Sequence, residues 1–137
     1  MARFLLDSGI LNDYAGRRNG IYDRATLQRL QGHQVGTATP VLGEMLSGIA
    51  RSQNPEPNFK ALELALKGLT LWAFDRDAAY EYGRIHAALR AKGRPMQSID
   101  IQLAAIALTL GNTVVVTTDG DLFAIDGLAV ENWAVES

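Results

Sequence analysis

Apolar residues along this 137-residue chain fall into two rhythms, short unbroken runs and helical stripes, and the two alternate from one end to the other. Arg3 to Leu6 is such a run, broken at Asp7-Ser8-Gly9, which predicts a buried strand that turns sharply. Helices follow over about Ile10 to Ala15 and Tyr22 to Leu30, the second with Ala25, Leu27 and Leu30 as its apolar contacts. Gln34 to Ala38 reads as a second strand. Thr39-Pro40 then opens a helix ending near Ser52, with Thr39 as its cap and Pro40 at the first helical position, where a missing N–H is no loss. After the break at Asn54-Pro55-Glu56-Pro57, Phe59 to Leu66 forms another helix, closed by Gly68.

Thr70 to Phe74 is a third strand, rich in aromatic and apolar residues. From Asp77 to Ala91 the positions Ala78, Tyr82, Ile85 and Leu89 repeat at helical spacing, and Gly93-Arg94-Pro95 ends the stripe. Ser98 is placed as the cap of a helix running to Leu110 and stopped by Gly111. Val114 to Val116 is an unbroken apolar strand, and Leu128 to Trp133 adds an edge strand. Strands alternating with helices predict an α/β fold whose sheet is parallel and covered on both faces.

Composition narrows this further. At 47% hydrophobic and 20% charged, with no repeat or linker, the chain reads as a single domain over residues 1–137 with a core of its own. The absence of cysteine excludes disulfides, zinc-thiolate centres and thiol nucleophiles. A net charge of −2 argues against a uniformly nucleic-acid-coating protein but leaves room for a local basic patch. Phe4-Leu5-Leu6 is too short for a signal-peptide core. The uncharged stretch Ile101 to Thr118 is interrupted by Gly111-Asn112, so it reads as helix then strand, not as a membrane span. A soluble protein, compatible with the cytoplasm, is the expectation.

The informative residues are acidic. Asp7 follows the first strand and Asp119 follows Val114–Val116, so both lie at carboxyl ends of strands, the edge where open α/β sheets bind ligands. Glu44 sits in the second turn of the helix leaving the second strand, near that same edge. Asp100 lies in the first turn of a helix that reaches its strand through a tight Gly111-Asn112 turn, so the helix runs antiparallel to the strand and starts at that edge too. Asp100 shares a face with Leu103, Ala104 and Ala107, which turns its carboxylate inward. Carboxylates held together repel by about 1 kcal/mol per 4 Å pair in water and about 4 at intermediate dielectric. A fold keeps such a cluster chiefly to hold a hard divalent cation, Mg²⁺ or Mn²⁺. The matching chemistry is phosphodiester hydrolysis, in which an ion activates water for in-line attack on phosphorus.

Ordered motifs add to this reading. Leu5-Leu6-Asp7-Ser8, Pro40-Val41-Leu42-Gly43-Glu44-Met45, Tyr82-Gly83-Arg84-Ile85-His86-Ala87-Ala88-Leu89, Gly93, Asp100-Ile101-Gln102-Leu103-Ala104-Ala105, Val116-Thr117-Thr118-Asp119-Gly120-Asp121 and Glu131-Asn132-Trp133 follow one another over nearly the whole chain. The set resembles PIN-domain ribonucleases, and more particularly VapC-type toxins of type II toxin–antitoxin systems. That resemblance implies a three-layer α/β/α fold with a parallel sheet of about five strands, a homodimer, an RNA substrate and a cognate VapB-like antitoxin. It also implies that Asp7, Glu44, Asp100 and Asp119 are the four acidic catalytic and metal-site positions, with Asp121 as an accessory acid. Gly9 stands where many members carry Asn.

Ser8, Arg94 and Thr118 are placed as substrate-binding residues, with Arg94 the first choice among the cations that could hold phosphates. His33 and His86 read as packed or surface residues rather than bases. An inhibitor is expected to bring a cation to the acidic edge and to anchor on Leu11, Tyr14, Leu46 and Ile49. Two rivals stand beside the nuclease. A receiver-like signalling domain needs an acceptor Asp after a central third strand and a Lys near its fifth, but no Lys lies beyond Lys92. The other is a catalytically silent PIN-like module that binds RNA or protein, which metal-dependent RNA cleavage would separate from the enzyme.

Overall fold

The computed structural model describes residues 1–134. Five strands, β1 (Arg3–Leu6), β2 (Gln34–Ala38), β3 (Thr70–Trp72), β4 (Thr113–Val116) and β5 (Ala129–Glu131), form one sheet in the order β3-β2-β1-β4-β5. Every pairing is parallel, with Leu6 of β1 opposite Val116 of β4 and Leu5 opposite Gly36 of β2. Six helices accompany them: α1 (Ser8–Gly16), α2 (Ile21–Leu30), α3 (Thr39–Ala50), α4 (Pro55–Leu66), α5 (Arg76–Ala91) and α6 (Ser98–Leu110). Helices α1 to α4 pack on one another, and α5 packs along α6.

Neighbouring residues of a strand point to opposite faces, yet Leu5 and Leu6 are both fully buried, as are Val115 and Val116. The sheet is therefore covered on both sides. The chain builds β1, β2 and β3 outward in one direction, then returns to place β4 and β5 on the other flank of β1. The reversal falls between β1 and β4, and the carboxyl edge there is the switch point at which ligands bind in open α/β sheets. One close approach needs a glycine: a Cβ on Gly36 would stand 2.1 Å from the Thr70 carbonyl oxygen, so β2 and β3 meet only because no side chain intervenes.

Several boundaries shift, each for a local reason. Helix α1 begins at Ser8 rather than Ile10, because the Asp7 side chain caps it, Oδ1 accepting the Ile10 N–H at 2.9 Å. Helix α4 begins at Pro55, since a proline in the first turn gives up only an N–H that has no intrahelical partner. Thr39 is not the cap of α3. Ala38 holds that position, and the Thr39 hydroxyl accepts the Phe74 N–H at 3.1 Å instead. Ser98 is likewise not a cap: Gln97 precedes α6, and the Ser98 and Tyr82 hydroxyls meet at 3.0 Å. Strand β3 ends at Trp72, two residues early, and β5 spans only Ala129–Glu131. Of the three expected contacts of α2 only Ala25 is buried, joined by Ile21, while Leu27 and Leu30 are exposed, at 51% and 80%.

Candidate active site

Asp7 leaves the end of β1 with its N–H donating to the Val116 carbonyl at 3.1 Å, which locks it to the end of β4. Its two carboxylate oxygens have different partners. Oδ1 takes the Ile10 N–H, and Oδ2 accepts the hydroxyl of Thr117. Thr117 is buried just past β4, and its oxygen also accepts the Asp119 N–H at 2.9 Å. Asp119 in turn accepts the Asp121 N–H at 2.9 Å and so caps a short 3₁₀ helix, Gly120–Ala124, that the apolar pattern did not predict. One hydroxyl thus fixes two of the predicted acids, a role the sequence reading assigned to no residue; Thr118, placed there as a substrate contact, is exposed.

Asp100 stands half-buried in the first turn of α6, above Leu103, Ala104 and Ala107, all buried. Burial pushes its carboxyl up to about 6, and the negative charges of Asp119, Asp7, Asp121 and Glu44 add to this, in decreasing order. Burial also raises the Asp7 carboxyl above its ordinary range. The hydrogen bonds from Thr117 and Ile10 oppose that rise, and the charges of Asp119 and Glu44 reinforce it. Five acids from four separate stretches of chain are therefore close enough to feel one another. Glu44, exposed on α3, contributes the weakest field of the set at Asp100.

Among the described residues no three His, Cys, Asp or Glu side chains form a ready-made ligand cage. Mg²⁺ does not need one, because it keeps several waters and is held through one or two carboxylates. The donors suit such an ion. They are all carboxylate or hydroxyl oxygen, and their mutual repulsion is the strain that a cation relieves. Gly9 leaves space here: a Cβ at that position would meet only Asp7 Oδ1, at 3.8 Å.

Arg94 pairs with Asp121 at 3.6 Å, with both side chains more than half exposed. Such a pair is worth at most about 1 kcal/mol, so the guanidinium is at the rim of the acids without being committed to them. Ser8 and Glu44 line an open groove of about 470 Å³ between α1, α3 and α4, together with Asn12, Arg51, Ser52 and Asn58. The basic residues Arg17 and Arg18 lie elsewhere: Arg18 pairs with Asp13, and Arg17 sits over the Tyr22 ring at 4.0 Å. His33 is structural, its Nδ1 accepting the Ala2 N–H at 2.9 Å.

Two proposed partner anchors fail. Leu11 and Tyr14 are core residues, 0% and 3% exposed, because they are the inward face of α1. Leu46 is exposed and Ile49 half-buried. The receiver-like alternative is also excluded by topology, since β3 is an edge strand and Asp75 is spent capping α5, its Oδ1 accepting the Ala78 N–H at 2.9 Å. No helix among the described residues is long and apolar enough to cross a membrane.

Comparison with known proteins agrees with this geometry. The PIN domain family model matches residues 4–128. A tRNA(fMet)-specific endonuclease VapC of Shigella flexneri is 27% identical over 135 residues, covering 98% of this chain and all of its own length. Its counterpart in Salmonella typhimurium is 32% identical over 92 residues, 67% of this chain and 70% of that protein. Among solved structures, DNA-bound VapBC from Salmonella typhimurium superposes with a TM-score of 0.89 at 28% identity, covering 98% of this chain and 100% of that one. VapBC2 of Rickettsia felis, bound to a DNA fragment from its promoter, shares the fold with the same TM-score of 0.89 at 23% identity, over 96% of this chain and 98% of that one. A parallel sheet with its acids gathered at the switch point, matched along nearly its whole length, places this chain in the PIN-domain family as a VapC-type member.

Proposed function

We propose that this protein is a divalent-metal-dependent endoribonuclease, the toxin of a toxin–antitoxin pair, with Asp7, Glu44, Asp100 and Asp119 as its metal-holding acids and Asp121 as an accessory. The observation that carries this is the raised carboxyl of Asp100, a half-buried acid that feels the charges of four others at a sheet edge built for ligands. Mg²⁺ or Mn²⁺ held there would supply Lewis acidity, activating water and screening phosphate charge. The chain's own residues do the positioning. Thr117 and the Ile10 N–H fix the rotamer of Asp7, and the α6 scaffold holds Asp100 against it. Arg94 stands at the rim to meet a phosphate, with Ser8 in the groove beside Glu44 and the exposed Thr118 as a further substrate contact.

The partners belong to the same reading: RNA as substrate, a second copy as homodimer, and a VapB-like antitoxin. The solved neighbours named VapBC support the last of these. A cytoplasmic location follows from the substrate. The antitoxin is expected to silence the enzyme by bringing an Arg or Lys to the acidic edge.

The test is cleavage of single-stranded RNA by the purified, partner-free chain. Cleavage is expected with Mg²⁺ or Mn²⁺, and none with EDTA or with Asp7→Asn or Asp100→Asn. A chain that binds RNA but cuts it under no divalent ion would instead be a silent binding module. Cutting that persists in EDTA would remove the metal from the scheme.

A further inference from the structure

Beyond the acidic edge, a second concavity of about 320 Å³ lies where α5 ends and the chain turns into α6. His86, Arg90, Gly93, Arg94, Pro95 and Met96 line it. Its lining includes two arginines and a histidine and no acidic residue, the reverse of the neighbouring cluster. Its size sits near the lower end of small-ligand sites, roughly 300–1,000 Å³.

The turn that forms it is specific. Gly93 adopts φ +66°, its N–H donating to the Arg90 carbonyl at 3.0 Å, and Arg94 N–H donates to Leu89 at 2.9 Å. The chain folds back at this point, so that Arg94 joins Arg90 on one pocket. Arg90 forms no ion pair and no side-chain hydrogen bond among the described residues, while Arg94 reaches out to Asp121 of the acidic cluster. His86 is backed by further contacts that reach α6. His86 lies parallel to Tyr82 at 5.8 Å and 9°, Tyr82 meets Phe74 edge-on at 6.0 Å, and the Tyr82 hydroxyl meets Ser98 Oγ in the same first turn of α6 that bears Asp100. The pocket and the acids are thus held in one frame.

We propose that this pocket is a nucleotide subsite for the RNA strand, in which Arg90 and Arg94 grip the phosphate next to the one being cut and a base lies against Met96 and His86. Recognition of single-stranded RNA works through such combinations, a cation on the backbone and an apolar or π surface under an unstacked base. Arg94 bridges the two regions, its weak pair with Asp121 being easily exchanged for phosphate. The inference rests on the ribonuclease reading and adds to it the direction in which the strand leaves the acids, over the α5–α6 turn.

Single-turnover and steady-state cleavage of a labelled single-stranded RNA in Mg²⁺ tests it, comparing the native chain with Arg90→Ala, the double variant Arg90→Ala/Arg94→Ala, and Arg90→Lys. In the double variant KM is expected to rise by roughly tenfold or more, as hydrogen bonds to charged groups imply, with kcat within about twofold. The slope of log affinity against log salt should become shallower by about 0.7 for each phosphate contact removed, and Arg90→Lys should keep the slope. Thermal melting of the variants should match the native chain, because both side chains are exposed. RNA cleavage with unchanged KM and unchanged salt slope in the double variant would overturn the subsite and leave the ribonuclease intact. The same result together with lost antitoxin binding would overturn it in favour of a protein-docking role. A native chain that neither binds nor cuts RNA would sink the underlying reading instead.

Discussion

Thr117 donates its hydroxyl to Asp7 from 110 residues away in sequence, joining the end of β4 to the end of β1. The same oxygen accepts the Asp119 N–H, so a single buried threonine sets the spacing between two acids that come from different strands. Side chains that orient metal-holding groups matter nearly as much as the groups themselves.

Thr117→Val keeps shape and removes both hydrogen bonds. Cleavage or Mn²⁺ affinity is expected to fall about 10–100-fold, the range for lost outer contacts at metal sites. The Asp119 N–H loses its acceptor as well, at a stability cost of about 0.5–1.5 kcal/mol. Thr117→Ser should recover most of both. Valine with native activity would show that Asp7 holds its own rotamer.

Acid titration of stability follows from Asp100. Its carboxyl titrates near 6 in the folded chain against 3.8 when unfolded, so between those values the folded state binds more protons. This group therefore stabilises most at low pH, and the contribution is lost as pH rises through about 6. Without divalent ions, the melting temperature of the native chain should carry that falling component, and Asp100→Asn should remove it. Identical pH profiles for the two proteins would contradict it.

Divalent ions should act on stability directly. Binding to the folded state alone is worth about 2.7 kcal/mol at a hundredfold over the dissociation constant. Millimolar Mg²⁺ or Mn²⁺ is expected to raise the melting point, and EDTA to return it. The gain should shrink in Asp7→Asn. Calorimetry in matched buffers with and without the ion measures it.

Gly36→Ala probes the sheet rather than the site. The added methyl meets the Thr70 carbonyl at 2.1 Å, and backbone cannot swing aside as a side chain can. A loss of about 1–3 kcal/mol is expected, as for other overpacked positions, read as an earlier denaturation midpoint.

Much of this was legible from the order of residues, for physical reasons that differ by element. Strands covered on both faces, such as Phe4-Leu5-Leu6 and Val114-Val115-Val116, announce themselves as apolar runs, and the tight Gly111-Asn112 turn forces α6 to start at the acidic edge. The positions of Asp7, Asp100 and Asp119 follow from topology alone. What escaped were choices between equivalent partners. Thr117 and Thr118 are neighbours of one type, and only the contacts of Thr117 with Asp7 and Asp119, residues of other turns, set the buried first apart from the exposed second. Thr39 and Ser98 look like caps but bond to Phe74 and Tyr82, residues distant in sequence, which no local pattern records. Leu11 and Tyr14 read as possible anchors because an amphipathic stripe does not say what covers it, and here it is the protein's own core.

The strand order has a consequence for how the chain comes into being. Because β1 sits in the middle of the sheet and β4 must slide in beside it, the first three strands and the acids Asp7 and Glu44 are synthesised well before the neighbour that completes them. Until Val116 and Thr117 arrive, Asp7 lacks its backbone clamp and its hydroxyl partner, and Asp119 does not yet exist. The acidic edge is thus incomplete until β4 has been made. Asp7 and Asp119 come within reach of one another only once β4 and the turn after it have been made.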